Sequence, residues 1–289
     1  MDRAVRGAIE AALDDRVLSV RRLGGGDIND AFELALASDR VVFAKTNGNA
    51  DRQMFPAEAR GLNWLRDARA LRIPEVLAVS AGRTDEPAFL VLEYVPSGRP
   101  GTGFDERLGR GLADLHRAGA PSFGLDHDNF IGRLPQRNAT TANWPEFYRE
   151  HRLGAQLELA VRSGLATGAM RRGFAQLFAR LDDLVGPEEP AVRLHGDLWG
   201  GNLHVDDRGE PVLIDPAVYG GHREVDLAMM KLFGGFGRRV FDAYAEVFPL
   251  LPGHEDRVAL YQLYPLMVHV NHFGGGYVAS VERALSRYV

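Results

Sequence analysis

The chain has 289 residues, 45% of them hydrophobic and 25% charged, with a formal net charge of −5. That length can bury a substantial core, and the acidic balance, with a pI near 6.0, argues against a general nucleic-acid-binding surface. No apolar run reaches the length of a membrane span, the start reads as an amphipathic helix rather than a signal peptide, and zero cysteines exclude disulfides and thiolate chemistry. A cytoplasmic protein is expected.

In chain order, residues 3–14 read as a helix and Val17–Leu23 as a strand running into Gly24-Gly25-Gly26-Asp27. Glycines at such a turn let backbone N–H groups approach phosphate oxygens, although hairpin turns use the same residues. A strand then leads to a further strand, Val41–Lys45. Of 34 basic residues only Lys45 and Lys231 are lysines. A compact ammonium meets phosphates as a point charge, where an arginine presents a planar fork. Lys45 stands where a kinase fold puts its phosphate-binding lysine. The segment Phe55–Leu65 has helical spacing and places Glu58 as a partner for Lys45. The alternative is an acid near a helix N-terminus, favoured by the dipole alone.

Strands follow near Val76–Val79 and Ala88–Tyr94. The second ends in Glu93-Tyr94-Val95-Pro96, a hinge whose backbone would meet an adenine ring. From there the pattern is helical: Phe104–Arg117, a helix opening at Trp144-Pro145 and running to about Ser163, then 169–184, 223–233, 238–247, 254–271 and 277–287. Ser122–Asn143 reads as a loop. The fold class expected is α+β, protein-kinase-like and two-lobed. A small antiparallel β-sheet lobe covers residues 1–95, and a larger, mainly helical lobe covers 96–289.

Two short apolar runs, Ala191–Leu194 and Pro211–Ile214, read as strands that precede the most informative residues. His195-Gly196-Asp197-Leu198-Trp199-Gly200-Gly201-Asn202 and Asp215-Pro216 set two carboxylates and a carboxamide at fixed spacing. Phosphoryl transfer by kinase-fold enzymes uses such a set: one carboxylate facing the acceptor hydroxyl, with an amide and a second carboxylate holding Mg²⁺. On this reading Asp197 is the catalytic base or orienting group, and Asn202 and Asp215 are the metal ligands. Lys45, held by Glu58, neutralises ATP phosphates that the backbone at Gly25, Gly26 and Asp27 covers. His195 braces the loop, and Asp226 accepts hydrogen bonds from its backbone. Trp199 is either core or a wall for the acceptor. Phe233, Phe236, Met229 and Met230 read as packing.

With those elements in order, the chain resembles the fructosamine kinase, or ketosamine 3-kinase, family nearly end to end. The resemblance rests on Gly25–Asn29, Gln53-Met54-Phe55 with Glu58, His195–Asn202, Asp215–Glu224, Leu232–Phe236 and Asn271–Gly274. Gly200 departs from it, standing where a serine is common. The resemblance implies ATP-dependent phosphorylation, with Mg²⁺, of a ketosamine at the hydroxyl on carbon 3. The acceptor would be a glycated lysine, free or in a protein, and elimination of the phosphate would free the amine. It brings His272, with Asn271 and Phe273, toward the acceptor side, or else into a helix interior. Asp126 and Asp128 are candidates for attracting the cationic amine. Two other readings stay open: a small-molecule kinase acting on an aminoglycoside, choline or homoserine, and a pseudokinase scaffold. No nucleic-acid or membrane partner is expected, and among oligomeric states, which the sequence does not fix, a monomer is favoured.

Overall fold

The computed structural model describes residues 1–24, 29–80, 83 and 86–288. The chain divides into two compact units, Met1–Phe104 with Leu203–Pro216, and Asp105–Asn202 with Ala217–Val289. The first unit therefore runs past residue 95, and it includes the segment that carries Asp215.

In the first unit, helix α1 (Arg3–Leu13) starts at Asp2, whose carboxylate accepts the Ala4 N–H at 2.9 Å. Strands β1 (Val17–Leu23), β2 (Asp30–Leu36) and β3 (Val41–Thr46) precede helix α2 (Met54–Arg66), and β4 (Val76–Val79) and β5 (Phe89–Glu93) follow it. The sheet order is β1-β2-β3-β5-β4 and every pairing is antiparallel. Alternation along the strands sends Phe32, Leu34, Leu36, Val42, Ala44, Phe89 and Val91 into one core with Ile9 and Val17. Lys45 has the opposite parity from Ala44 and pairs in register with Ala31 and Leu90.

Helix α3 (Phe104–Arg117) runs into the second unit. Gly109 in it could not carry a side chain, because a Cβ there would lie 2.2 Å from the Val240 carbonyl oxygen. The region expected to be a loop contains a hairpin, β6 (Asn129–Ile131) and β7 (Leu134–Gln136). Three buried amides organise it: Asn129 donates to the Val218 carbonyl at 2.8 Å, Gln136 to that of Ala217 at 3.0 Å, and Asn138 to Asn129 at 2.8 Å. The helix beginning at Trp144 is not uniform. α4 (Trp144–Phe147) widens into a π-helical segment, Tyr148–Gly154, before α5 (Ala155–Arg162).

Helix α6 (Gly168–Leu184) and strand β8 (Val192–Leu194) lead to a 3₁₀ turn at Gly200–Asn202. The hairpin β9 (Leu203–Val205) and β10 (Pro211–Leu213) belongs to the first unit. Back in the second unit, β11 (Tyr219–Gly221) pairs antiparallel with β8. Helices α7 (Glu224–Phe233), α8 (Arg238–Val247), α9 (His254–Phe273) and α10 (Val278–Leu285) complete it. α9 continues through Pro265, which is buried within it. Among the described residues no helix is long and apolar enough to cross a membrane.

The core of this unit is aromatic: Trp144, Phe147, Tyr148, Phe174, Tyr219, Tyr261 and Tyr264 pack with Leu and Met side chains. Arg152, from the π-helical segment, is fully buried there, its guanidinium 3.7 Å from the centre of the Tyr219 ring. His222 is also inside, stacked on Tyr261 at 5.3 Å between ring centres. Burial, reinforced by repulsion from Arg257 and Arg223, pulls its pKa from 6.5 down to about 3.

That depression has a sign. The unfolded chain takes up a proton at His222 near pH 6.5 and the folded chain does not until about pH 3. Stability from this group is therefore present above pH 6.5 and lost as pH falls toward 3, by up to about 1.4 kcal/mol per pH unit. Denaturant unfolding of wild type and His222→Gln at pH 7 and pH 4.5 should show a shallower acid loss in the variant. Parallel slopes would rule out His222 as the source.

Candidate functional site

The first unit holds a buried charge cluster. The Lys45 ammonium lies 2.7 Å from Glu58 Oε1 on α2 and 2.5 Å from Asp215 Oδ1, just beyond β10. Its side chain is only 7% exposed, whereas that of Asp215 is 44% exposed. Burial alone would lower the Lys45 pKa. The fields of Asp215 and Glu58 outweigh it and raise the pKa above the ordinary lysine value. Glu58 moves up as well, because burial and the Asp215 charge outweigh attraction to Lys45. One cation faces two carboxylates, so with all three groups ionised the cluster carries one excess negative charge. Asp215 has φ of +54°, a left-handed conformation that costs a non-glycine residue free energy.

The second unit holds the loop after β8. Asp226 on α7 is buried, and its two carboxylate oxygens accept the N–H groups of His195 at 2.8 Å and Gly196 at 2.9 Å. His116 on α3 donates from Nε2 to the same carboxylate at 3.2 Å, and its Nδ1 accepts from the Tyr244 hydroxyl at 2.8 Å. The His195 carbonyl accepts the Ala217 N–H at 2.9 Å, while its Nδ1 faces the Asp197 N–H at 3.3 Å. Gly196 has φ of +81° and a Cβ there would sit 2.0 Å from the Ala217 carbonyl oxygen, so only glycine fits. Asn202 closes the loop, donating from Nδ2 to the Asp197 carbonyl at 2.8 Å and to Asp197 Oδ2 at 3.0 Å.

The expected residues thus fall into two sets, Lys45, Glu58 and Asp215 in one unit and His195, Asp197, Asn202 and Asp226 in the other. Gly25, Gly26 and Asp27 lie outside the described residues. Of the hinge residues, Glu93 pairs with Arg72 and accepts the Glu75 N–H at 3.2 Å, and the Val95 carbonyl accepts from His204 Nε2 at 3.1 Å. Hydrogen bonding to Glu33 raises the Tyr94 pKa. Asp128 accepts the Asn138 N–H at 2.8 Å, a structural task within the hairpin loop, whereas Asp126 is exposed and 2.6 Å from His127.

Trp199 is 41% exposed and meets Phe233 edge-on at 6.5 Å. Met229 and Met230 are buried as expected, but Phe233 is 39% exposed, a correction to its reading as packing. It is the last residue of α7 before Gly234, where the helix stops covering it. Asn271 and His272 anchor the end of α9, Asn271 donating to the Gln156 carbonyl at 2.9 Å and His272 to that of Ile131 at 3.1 Å. His116 was missed. Its signal was a polar residue four positions beyond Leu112, on the apolar stripe of α3.

Asn202 and Asp215, one in each unit, each carry a side-chain oxygen of the kind that hard cations take. Asn202 commits its amide nitrogen to Asp197. Asp215 supplies carboxylate oxygen and the excess negative charge of its cluster. Among the described residues no three His, Asp or Glu side chains group as a metal site.

A family model for fructosamine kinase matches residues 1–289. An Enterococcus faecium protein named "probable ketoamine kinase" is 37% identical over 283 residues, 97% of this chain and 99% of that one. The chloroplastic protein-ribulosamine 3-kinase of Oryza sativa subsp. japonica is 38% identical over 278 residues, 95% of this chain and 80% of that one. A crystal structure from Thermobifida fusca, assigned as a fructosamine-3-kinase, superposes with a TM-score of 0.90 at 37% identity, covering 100% of this chain and 99% of that one. An aminoglycoside phosphotransferase superposes at 0.63 and 16% identity, covering 98% of each chain, which shows a shared kinase-like fold.

Asp226→Asn would turn an NH₂ group toward one of the two loop N–H donors and leave it unsatisfied. The expected loss is about 1–3 kcal/mol of stability, with faster amide hydrogen exchange at His195 and Gly196. Unchanged exchange at both amides would remove Asp226 as the brace of this loop.

Proposed function

The chain belongs to the fructosamine kinase family, and on that premise we propose that it transfers the γ-phosphoryl group of ATP to a ketosamine. The acceptor is the hydroxyl on carbon 3 of a sugar unit joined to a lysine amine, free or in a polypeptide. The observation that supports this most is the buried Lys45 ammonium between Glu58 and Asp215, in a chain whose relatives are named for ketoamine and ribulosamine phosphorylation.

Asp197 accepts a hydrogen bond from the acceptor hydroxyl and takes its proton as the oxygen bonds to the γ-phosphorus and the bond from that phosphorus to the bridging oxygen breaks, releasing ADP. Asn202 orients that carboxylate and, with Asp215, offers oxygen to Mg²⁺. The ion, when bound, would offset charge on the β- and γ-phosphates. Lys45 supplies positive charge to the α- and β-phosphates, and Glu58 keeps the ammonium in place when Asp215 turns to the metal. Gly25, Gly26 and Asp27 cover the phosphates, and the backbone of Glu93, Tyr94 and Val95 meets adenine. Trp199 forms a wall for the sugar, with His272 behind it. The 3-phosphate then eliminates and releases the amine, so the net result is deglycation. In this reading residues 1–95 form the nucleotide-binding lobe and 96–289 carry the catalytic loop and acceptor site.

Mass spectrometry of a ribulosyl-lysine peptide incubated with enzyme, ATP and Mg²⁺ should show gain of one phosphate followed by recovery of unmodified lysine. Erythrose- and glucose-derived adducts run in parallel rank the sugar lengths. Turnover of aminoglycosides or choline, with none of any ketosamine, would replace this acceptor class. Asp197→Ala should keep its fold and lose about 10²–10⁴-fold in kcat. Near-normal turnover by that variant would remove Asp197 from the chemistry.

A further inference from the structure

The proposed reaction frees lysine from sugar, yet the chain itself holds only two lysines, Lys45 and Lys231. Its other strongly basic side chains are all arginine. A sugar aldehyde needs the lone pair of an uncharged amine, and a guanidinium stays protonated in proteins. Lys45 is buried, and Glu58 and Asp215 hold it in the ammonium form. That leaves Lys231, on α7, as the side chain open to condensation with a reducing sugar.

Lys231 has a base beside it. Its Nζ donates to both oxygens of Glu255 at 3.0 Å, and His254 Nε2 lies 3.3 Å from the same carboxylate. The Glu255 side chain is 69% exposed, and exposed pairs of this kind hold weakly. The hydrogen bond from Lys231 keeps Glu255 below the ordinary carboxylate pKa, so it is ionised at neutral pH. The Lys231 ammonium lies 5.3 Å from the centre of the Phe241 ring, and both residues line a cavity of about 140 Å³ with Leu250 and Val258. Carbons added to Nζ therefore have space that the fold leaves unfilled.

Nζ, once it has given its proton to water, adds to the aldehyde carbon of an open-chain aldose. Water leaves and an aldiminium forms. Glu255 takes the proton from C2, which is two bonds from Nζ and so within reach of a carboxylate already beside it. The C2–H electron pair becomes the C1=C2 bond, and the C=N pair returns to nitrogen. Addition of a proton at C1 and loss of the enol proton from oxygen leave a ketone at C2. One amine and one aldose have become one ketosamine and one water, with no oxidant required.

α7 also decides which molecule clears the adduct. Residues two apart on a helix do not share a face. Phe233 reaches Trp199, beside the catalytic loop, and His269 on α9. Lys231 reaches Glu255 instead, fourteen residues and about 21 Å earlier on α9. A ketosamine on Lys231 thus points away from the Asp197 of its own chain.

We propose that Lys231 is this protein's own glycation site, with Glu255 driving the rearrangement, and that the resulting ketosamine is a substrate for a second copy of the chain. Formation of the adduct is independent of the kinase reading above, and its removal rests on that reading.

The test incubates Asp197→Ala protein with ribose in the absence of ATP and maps the adducts by peptide mass spectrometry. Lys231 should carry the side-chain adduct and Lys45 none. Glu255→Gln in the same background should slow ketosamine formation on the order of tenfold, with borohydride trapping of the aldimine at Lys231 no lower. Were Glu255 only an ion-pair partner, its loss would free the amine and speed modification. A trace of unmodified wild type with ATP and Mg²⁺ should then restore free Lys231 in the glycated Asp197→Ala chain. An unmodified Lys231, equal modification of Lys45, or a rate that Glu255→Gln leaves unchanged or raises overturns the site. A ribulosyl-lysine peptide run beside the protein separates the other failures. If wild type clears the peptide and not Lys231, the second-copy role is lost and the kinase reading stands; if it clears neither, both fall.

Discussion

Everything proposed for this chain depends on keeping one ammonium charged inside protein. Moving a cation out of water costs several kcal/mol even after the protein relaxes, and Lys45 has almost no solvent left. One carboxylate would offset that cost, yet the sequence supplies two, Glu58 from α2 and Asp215 from just beyond β10. Two carboxylates around one ammonium overcompensate by one charge. That surplus need not be buried, because Asp215 is the more exposed of the pair. Glu58 alone can satisfy Lys45 if Asp215 is drawn to a cation. The pair is thus arranged so that one partner can leave.

The same economy appears at Asp226, with backbone in place of a cation. A carboxylate with no solvent exposure is tolerable when its lone pairs are filled. Here two loop N–H groups and the His116 imidazole fill them. The cost of burying Asp226 is offset by bonds that also fix the path of His195 and Gly196, and so the position from which Asp197 projects. Asn129 and Gln136 act likewise on the carbonyls of Val218 and Ala217, immediately past Asp215-Pro216, and Asn138 donates to Asn129 behind them. Buried polar side chains here hold irregular backbone that neither a helix nor a sheet would hold.

That division explains what could be read from the sequence. Long amphipathic stretches were legible: α3 and α8 lie where hydrophobic spacing put them, because burial on one face decides them. The spacing of Asp197, Asn202 and Asp215 was legible because the chemistry tolerates few alternatives. The three-residue strands β8 and β10 were legible within short, mainly apolar runs, whereas β6 and β7, with Asn129, Pro135 and Gln136 in them, carry no such run. The π-helical turn at Tyr148–Gly154 was invisible because one inserted residue per turn leaves the apolar spacing nearly unchanged. The packing of residues 203–216 with the first unit was hidden for another reason. It depends on pairings such as Arg72 with Asp206, separated by more than a hundred positions and carrying no local mark. Phe233 was misread because an aromatic at the end of an apolar helix looks the same in sequence whether the next glycine covers it or exposes it.

The near absence of lysine sharpens the argument for Lys45. Arginine is used here wherever a planar fork is useful. Arg223 grips both oxygens of Glu189, Arg257 grips both of Glu224, Arg72 spans Glu93 and Asp206, and Arg152 lies flat on Tyr219. A guanidinium at position 45 could pair with Glu58 in the same manner, or span two carboxylates as Arg72 does, but its rigid planar fork fixes the direction of each bond. A three-proton ammonium on a flexible stem can touch two carboxylates at once and later exchange one of them for a phosphate oxygen. In a chain that otherwise writes its buried cations as arginine, a lysine at this position marks a charge that has to change partners.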